Sequence, residues 1–315
     1  MKVKREPSNP GQVGDRIDFS CADPILVRRM FSSRVLKELA NGRLSAELSA
    51  VLGALRMDGQ LADSPTLSNI YEQAFKFCLK HQRVEYFYKN AVVQKMVLGR
   101  SSLKVTAAYL EVRIAEAKLD VLLARDYTSA YEIKTDYDEL VRLPSQLSAY
   151  QRACRSVSVV TSDRYASSVE RLSNREVGVY VLTDRYQLRT VRPPENLDGS
   201  LVHADMLALL RRKELIELLR AYGRDGEKIP NARLYQEALF ASSEIDPVDL
   251  NSFVASRLLE RSAAKRRLVA GLPISLAASA LAQDLTRAQI ARLIGLFEMD
   301  VTGGLQNELS PVLSG

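Results

Sequence analysis

At 315 residues, with 46% hydrophobic and 26% charged side chains, the chain has room for one large domain or two modest ones, each with its own core. A formal net charge of +6 and an isoelectric point near 9.1 lean mildly towards a polyanionic partner. Cys21, Cys78 and Cys154 are odd in number and widely spaced, which excludes a disulfide framework and a paired-cysteine zinc site and reads as reduced core thiols. With His81 and His203 far apart in sequence, a histidine-based nuclease or a Ser-His-Asp hydrolase is hard to assemble, so any catalytic burden falls on carboxylates and lysines.

Residues 1–22 carry charge without an apolar segment, so a flexible tail is expected and a signal peptide is not. Asp23-Pro24 opens a helix expected to run to Asn41-Gly42. Further helices are expected over 44–56, from Ser64-Pro65 through Phe77, and over 84–97 with an end at Gly99. Everything in 23–100 is thus expected to be helical.

The texture changes at Val105. Residues 109–114 alternate, with Leu110, Val112 and Ile114 expected on one face and Tyr109, Glu111 and Arg113 on the other. Strands are expected at 119–124 and 130–134, joined by a turn over 125–129 into an antiparallel meander. A helix from Pro144, a buried strand at 157–160, a helix over 164–172 and strands at 177–182 and 187–191 complete an α/β unit around one mixed sheet, expected over 101–195. Pro193-Pro194 ends it. The remainder, 200–315, is expected to be helical, with helices from about Val202, over 232–241, 247–268 and 286–297. The longest uncharged run, 268–282, is too short for a membrane span and contains Pro273, so a soluble protein is expected, and the reduced thiols make it a cytoplasmic one.

Glu132 and Lys134 fall on one face of their strand while Tyr131 and Ile133 face the core. Asp120, one hairpin earlier, can reach the same face. Two carboxylates and the Ile133 carbonyl make a hard, oxygen-lined half-cage of the kind that magnesium occupies. Beside it Lys134 can orient a water and balance negative charge, while Gln146 and Tyr150, four apart on the next helix, share a face towards it. The tripeptide alone says little, since Glu116-Ala117-Lys118 has the same form; only the Glu132 copy has an aspartate one hairpin earlier and a helix with Gln and Tyr after it. The competing reading of the Glu132 copy is a solvated strand face with a cross-strand ion pair.

Leu119-Asp120, Glu132-Ile133-Lys134 and Gln146-x-x-x-Tyr150 together resemble the PD-(D/E)xK nuclease superfamily, and the order of elements over 84–191 resembles its core. The segments Tyr88-Lys89-Asn90, YEIKTDYDELVRLPSQLSAY, VVTSDRY and VYVLTDRYQLRTV are similar to a largely uncharacterised bacterial family within it. The resemblance implies a restriction-endonuclease-like α/β core, a mixed central sheet flanked by helices, with helical N- and C-terminal extensions. It implies Asp120 and Glu132 as ligands of Mg2+ or Mn2+, Lys134 as the catalytic lysine, and the Gln146–Tyr150 pairing of the exonuclease and DNA-repair branch. Leu119 stands where the motif has proline. A further acidic ligand is Glu111, on the first strand, in preference to Glu85 on the preceding helix; Glu111 also reads as a strand-surface charge.

The expectation is therefore a divalent-metal-dependent nuclease acting on DNA, with a nuclease-fold binding or regulatory protein of a phage-related or defence system as the alternative. Arg257, Arg261, Lys265, Arg266 and Arg267 form a basic stretch that reads either as a phosphate-contacting face or as a solvated helix surface. The helical regions are candidates for contact with a second copy or a protein partner. The stretch from Leu285 has the look of the first helix of a helix-turn-helix, with Thr286 as cap and Gly295 as turn. Phosphate-binding loops of the GxxxxGK[ST] and GxGxxG kinds are missing from the sequence.

Overall fold

The computed structural model describes residues 16–81, 83–98 and 104–311. Asp23 caps α1 (Pro24–Arg29) by accepting the Ile25 N–H at 2.8 Å, with Pro24 at the first helical position. The single helix expected to Ala40 is in fact broken, and α2 (Ser33–Ala40) starts afresh under a Ser32 cap. The break is held from a distance: Tyr71 donates its hydroxyl to the Met30 carbonyl at 3.2 Å and Ser279 donates to the Phe31 carbonyl, so the freed backbone acceptors find partners. After β1 (Arg43–Leu44) come α3 (Ala46–Met57), capped by Ser45, then α4 (Leu67–His81) and α5 (Glu85–Val92), which widens into a π-helical turn, Val93–Leu98. Of the tail expected over 1–22, residues 1–15 lie outside the described residues, whereas Ile17 and Phe19 are buried in the core these helices share. Gly99 also lies outside the described residues.

Six strands follow in one mixed sheet: β2 (Ala107–Ile114), β3 (Ala117–Ala124), β4 (Thr128–Lys134), β5 (Ser156–Thr161), β6 (Gly178–Leu182) and β7 (Leu188–Arg192). Their spatial order is their sequence order. The first three form an antiparallel meander, β4, β5 and β6 run parallel, and β7 returns antiparallel to β6. The parallel steps need crossovers, supplied by α6 (Leu143–Ala153) and α7 (Asp163–Leu172). Consistent with burial on both faces, β5 and β6 are buried at every position.

Beyond the sheet lie α8 (His203–Leu207), α9 (Arg212–Ala221), α10 (Asn231–Ser242), α11 (Pro247–Arg261), α12 (Ala263–Ala270), α13 (Ala277–Leu281), α14 (Arg287–Glu298), α15 (Gly304–Glu308) and β8 (Ser310–Pro311), the last parallel to β1. These helices do not form one layer. Leu207, Leu218, Leu234, Val254 and Leu258 join Leu147 and Tyr150 of α6 against one face of the sheet. Leu268, Leu281, Leu293 and Phe297 return to the other face and pack with the N-terminal helices.

Three expectations for this region change. The helix from Val202 is interrupted before Glu214, whose Oε2 accepts the Arg211 N–H at 2.6 Å and caps α9. The helix expected over 247–268 breaks at buried Ser262, whose hydroxyl donates to the Leu259 carbonyl at 2.7 Å. Thr286 does cap α14, in a reciprocal box with Gln289, but the helix continues through Gly295 to Glu298, so the expected turn of a helix-turn-helix is not there. Cys78 and Cys154 are buried free thiols, while Cys21 is exposed. Among the described residues no helix is long and apolar enough to cross a membrane.

Buried Asn251 on α11 fastens this outer layer to the sheet. Its Oδ1 accepts the Thr128 N–H at 3.0 Å, and its Nδ2 donates to Thr128 Oγ1 at 2.8 Å and to the Ala153 carbonyl at 3.2 Å. Replacing it with leucine orphans the Thr128 N–H, and a loss of about 2 kcal/mol is expected. Urea denaturation measures this; a change in stability below about 0.5 kcal/mol would show that the clamp is dispensable.

Candidate active site

Strand alternation fails at one level of the sheet. In β2, Leu110 packs with the N-terminal helices, but Val112 and Ile114 pack on the opposite face, together with Tyr109. In β3, Val121 and Leu123 face the N-terminal helices whereas Leu119 faces away from them. The expected common face for Leu110, Val112 and Ile114 is thus divided, and the cause is local. Glu111 sits at φ +57°, and the register runs from the Leu110–Val121 pair to the Val112–Leu119 pair, passing over Glu111 and Asp120. A non-glycine residue in the left-handed region costs about 1–2 kcal/mol. Such strain gathers where a side chain must be aimed.

At the same level β4 parts from β3. Their last paired residues are Val121 and Tyr131. Two residues on, the Ile133 N–H is taken by the Asp120 side chain, at 2.8 Å to Oδ2. Meanwhile β4 stays paired with β5 as far as Lys134 and Thr161. The resulting fork holds Glu132, buried at 2% exposure. Its Oε1 accepts from Lys134 Nζ at 2.9 Å and from Gln146 Nε2 at 2.7 Å, and its Oε2 accepts from the Tyr150 hydroxyl at 2.9 Å. Lys134 Nζ donates a second bond to Gln146 Oε1 at 2.9 Å. Gln146 and Tyr150 reach the fork because Leu143, Leu147 and Ala153 anchor α6 in the core beneath.

A second cation stands on the other side of Asp120. Lys89 of α5 pairs with Glu85 one turn earlier, with Glu111 Oε1 at 3.2 Å and with Asp120 Oδ1 at 3.3 Å. Lys118 reaches Glu111 Oε2 at 2.5 Å. Sequence reasoning assigned no role to Lys89. The available signals were a lysine four residues after a glutamate on the expected helix and its place in the Tyr88-Lys89-Asn90 segment that carries the resemblance.

Burial and the neighbouring charge of Glu132 push the Asp120 carboxyl up to about 7, against the pull of Lys89 and the Ile133 N–H. Burial works against the charge of Lys89, yet Asp120, Glu85 and Glu111 outweigh it and hold the ammonium above its ordinary value. Glu111 is held low by its bond to Lys118. Burial and Glu132 raise the Tyr150 hydroxyl, which therefore acts as a donor.

As donors, the buried Glu132 carboxylate, the half-buried Asp120 carboxylate and a main-chain carbonyl suit a hard, oxygen-seeking divalent ion, which would offset both the burial and the like charge of Glu132 that raise Asp120. Among the described residues no three His, Cys, Asp or Glu side chains converge as a ready-made cage. Glu111 and Glu85, the two candidates for a third acidic ligand, both turn to Lys89.

The basic stretch lies elsewhere. Arg257 pairs with Glu217 and Glu260, and Arg261 pairs with Glu214 over the Tyr109 ring. Lys265 bonds Asp284 and the Leu281 carbonyl, and Arg266 the Leu259 carbonyl, while Arg267 is exposed. Four of the five therefore turn back onto the chain, and three of them, Arg257, Arg261 and Lys265, do so because acidic residues distant in sequence fold against them.

A carboxyl raised in the folded state favours the protonated native form. Its contribution to stability is complete below its unfolded value of 3.8 and is lost as pH rises through about 7. In metal-free buffer, stability is expected to fall across that window by up to about 1.4 kcal/mol per pH unit. Asp120→Asn is expected to flatten this slope. Parallel pH profiles of urea midpoints for the two proteins would show that Asp120 is not the titrating group.

A family model described as "Bacteriophage P4 protein cII" matches residues 79–287, which takes in α5, the whole sheet and the fork. Protein cII of Enterobacteria phage P4 is 28% identical over 160 residues, covering 48% of this chain and 54% of that protein. The chain thus spans about half the length of the curated relative it matches. No solved structure matches. On the extent of the family match, the chain belongs to the bacteriophage P4 protein cII family.

Proposed function

We propose that this chain is a divalent-metal-dependent nuclease that hydrolyses phosphodiester bonds in DNA on a restriction-endonuclease-like core. The observation that carries the reading is the buried network in which Lys134, Gln146 and Tyr150 hold Glu132 across from Asp120. The order α5, β2–β4, α6, β5 around a mixed sheet supports it, being the order by which the sequence resembles that superfamily.

Asp120, Glu132 and the Ile133 carbonyl would hold the ion, which when bound would polarise the scissile phosphate and acidify a water. Lys134, fixed between Glu132 and Gln146, presents a proton donor to the attacked group and offsets charge that grows on its oxygens. Gln146 also borders a depression of about 420 Å³ whose polar lining is Glu116, Lys118, Arg142 and Ser145; with Lys118 paired to Glu111, Arg142 is the cation best placed there to meet a phosphodiester backbone. Tyr150 donates towards Glu132 or the Lys118 carbonyl and fixes the carboxylate's orientation.

A nuclease-fold binding or regulatory protein is the second reading. It is favoured by the protein donors or ammonium groups that occupy both oxygens of Glu132 and of Asp120, and its phage-related setting agrees with the name of the family.

With Mn2+ and linear, nicked or single-stranded DNA, the purified chain is expected to cleave at least about a hundredfold faster than Glu132→Ala. Equal cleavage by the two proteins, or none by either, would sink the nuclease. The module reading predicts no Mn2+ uptake that depends on Asp120.

A further inference from the structure

The nuclease chemistry leaves Lys89 without a task, although its surroundings are built with care. Its residue is 7% exposed, and its ammonium faces Glu85, Glu111 and Asp120. Three carboxylates each contact this one ammonium; they do not converge as a metal cage, and the positive charge among them comes from the chain. The strained Glu111 backbone belongs to the same centre, since its left-handed turn accompanies a side chain directed at Lys89. Asp120 is shared between two sides: Oδ1 serves Lys89, and Oδ2 lies on the Ile133 N–H beside the Glu132 fork.

Hydrolytic centres with two metal ions place the second ion a few ångströms from the first, bridged by a shared carboxylate. In this chain the bridging position belongs to Asp120, and the place beyond it is taken by an ammonium. An ion arriving there would have to displace a lysine that three carboxylates contact. We infer that Lys89 fills, from within the chain, the cation position shared by Glu85, Glu111 and Asp120, so that the centre takes up a single divalent ion at Asp120 and Glu132. The inference rests on the metal-dependent reading above and states its stoichiometry. A depression of about 240 Å³ bordered by Lys89, Glu85 and Glu111 gives water and ions access to this side of the centre once the ammonium is removed.

Calorimetric titration of the full chain with Mn2+ tests this without relying on cleavage. The wild type is expected to bind one ion and Lys89→Met two, the additional ion being lost again when Glu111→Gln is added. Two ions on the wild type, or one on Lys89→Met, would overturn the inference while leaving a metal-dependent nuclease intact. Uptake by neither protein would remove the metal reading itself. Should Lys89→Met not fold, Glu111→Gln alone decides the matter. Its carboxylate belongs to the ammonium, so the wild-type ion should bind with affinity changed by less than about threefold. A tenfold loss would make Glu111 a metal ligand and end the proposal.

Discussion

Carboxylates that go inside a protein must be met there, and Asp120 and Glu132 impose that demand on everything around them. An unpaired buried carboxylate is costly enough that it takes up a proton or finds donors. Glu132 has found three donors, from β4 and α6. Asp120 has taken a backbone N–H that would otherwise continue the β3–β4 ladder, together with an ammonium from α5. The fork in the sheet and the inverted alternation of β2 and β3 occur at the level of these acids. Elements from both faces converge there. The helix α6 is anchored in one core and α5 in the other, and each delivers its polar side chains to the seam.

Four carboxylates, Glu85, Glu111, Asp120 and Glu132, share three ammonium groups, Lys89, Lys118 and Lys134. The carboxylates thus outnumber the ammonium groups by one, and burial together with the neighbouring Glu132 raises Asp120. A DNA phosphate approaching such a cluster meets repulsion unless a cation comes with it. The basic stretch of α11 and α12 gives limited help, because Arg257, Arg261 and Lys265 are paired with acidic partners. Under the nuclease reading, a divalent ion therefore has an electrostatic role in admitting substrate as well as a chemical one.

Much of this was legible from periodicity. The six strands and the helix bearing Gln146 and Tyr150 follow from alternation, apolar runs and turn residues, and the positions of Glu132 and Lys134 on one face follow from strand geometry. Four things were not legible, each for a physical reason. Helix breaks at Met30 and Ser262 depend on hydroxyls and caps that compete with continuing the helix, which propensity does not weigh. The left-handed Glu111 is a tertiary effect without a glycine to announce it. Arg257 and Arg261 look like a free basic stripe because Glu214 and Glu217 lie some forty residues away in the chain. Lys89 stands only within the Tyr88-Lys89-Asn90 segment of the resemblance, because its partner Asp120 comes from a strand thirty residues later.

The setting of Lys89 reaches further still. On either side of it along α5, Tyr86 donates its hydroxyl to the Ser275 carbonyl at 2.5 Å, and Asn90 both donates to the Ile274 carbonyl at 3.2 Å and accepts the Ala278 N–H at 2.9 Å. These three bonds grip α5 at two positions spaced about one turn apart and fix the rotation of the helix, so that Lys89 between them is directed at Asp120. The segment that supplies them, at the start of α13, is the uncharged run whose composition hinted at nothing beyond apolar packing. Its backbone acts as a template for polar side chains, which explains how a stretch with no ionisable group of its own belongs to the electrostatics of the centre. The family match, running from the last turn of α4 to the start of α14, encloses both the fork and this distant brace, and α11 and α12 connect the two because the chain must cross from one face of the sheet to the other to close the core around α5.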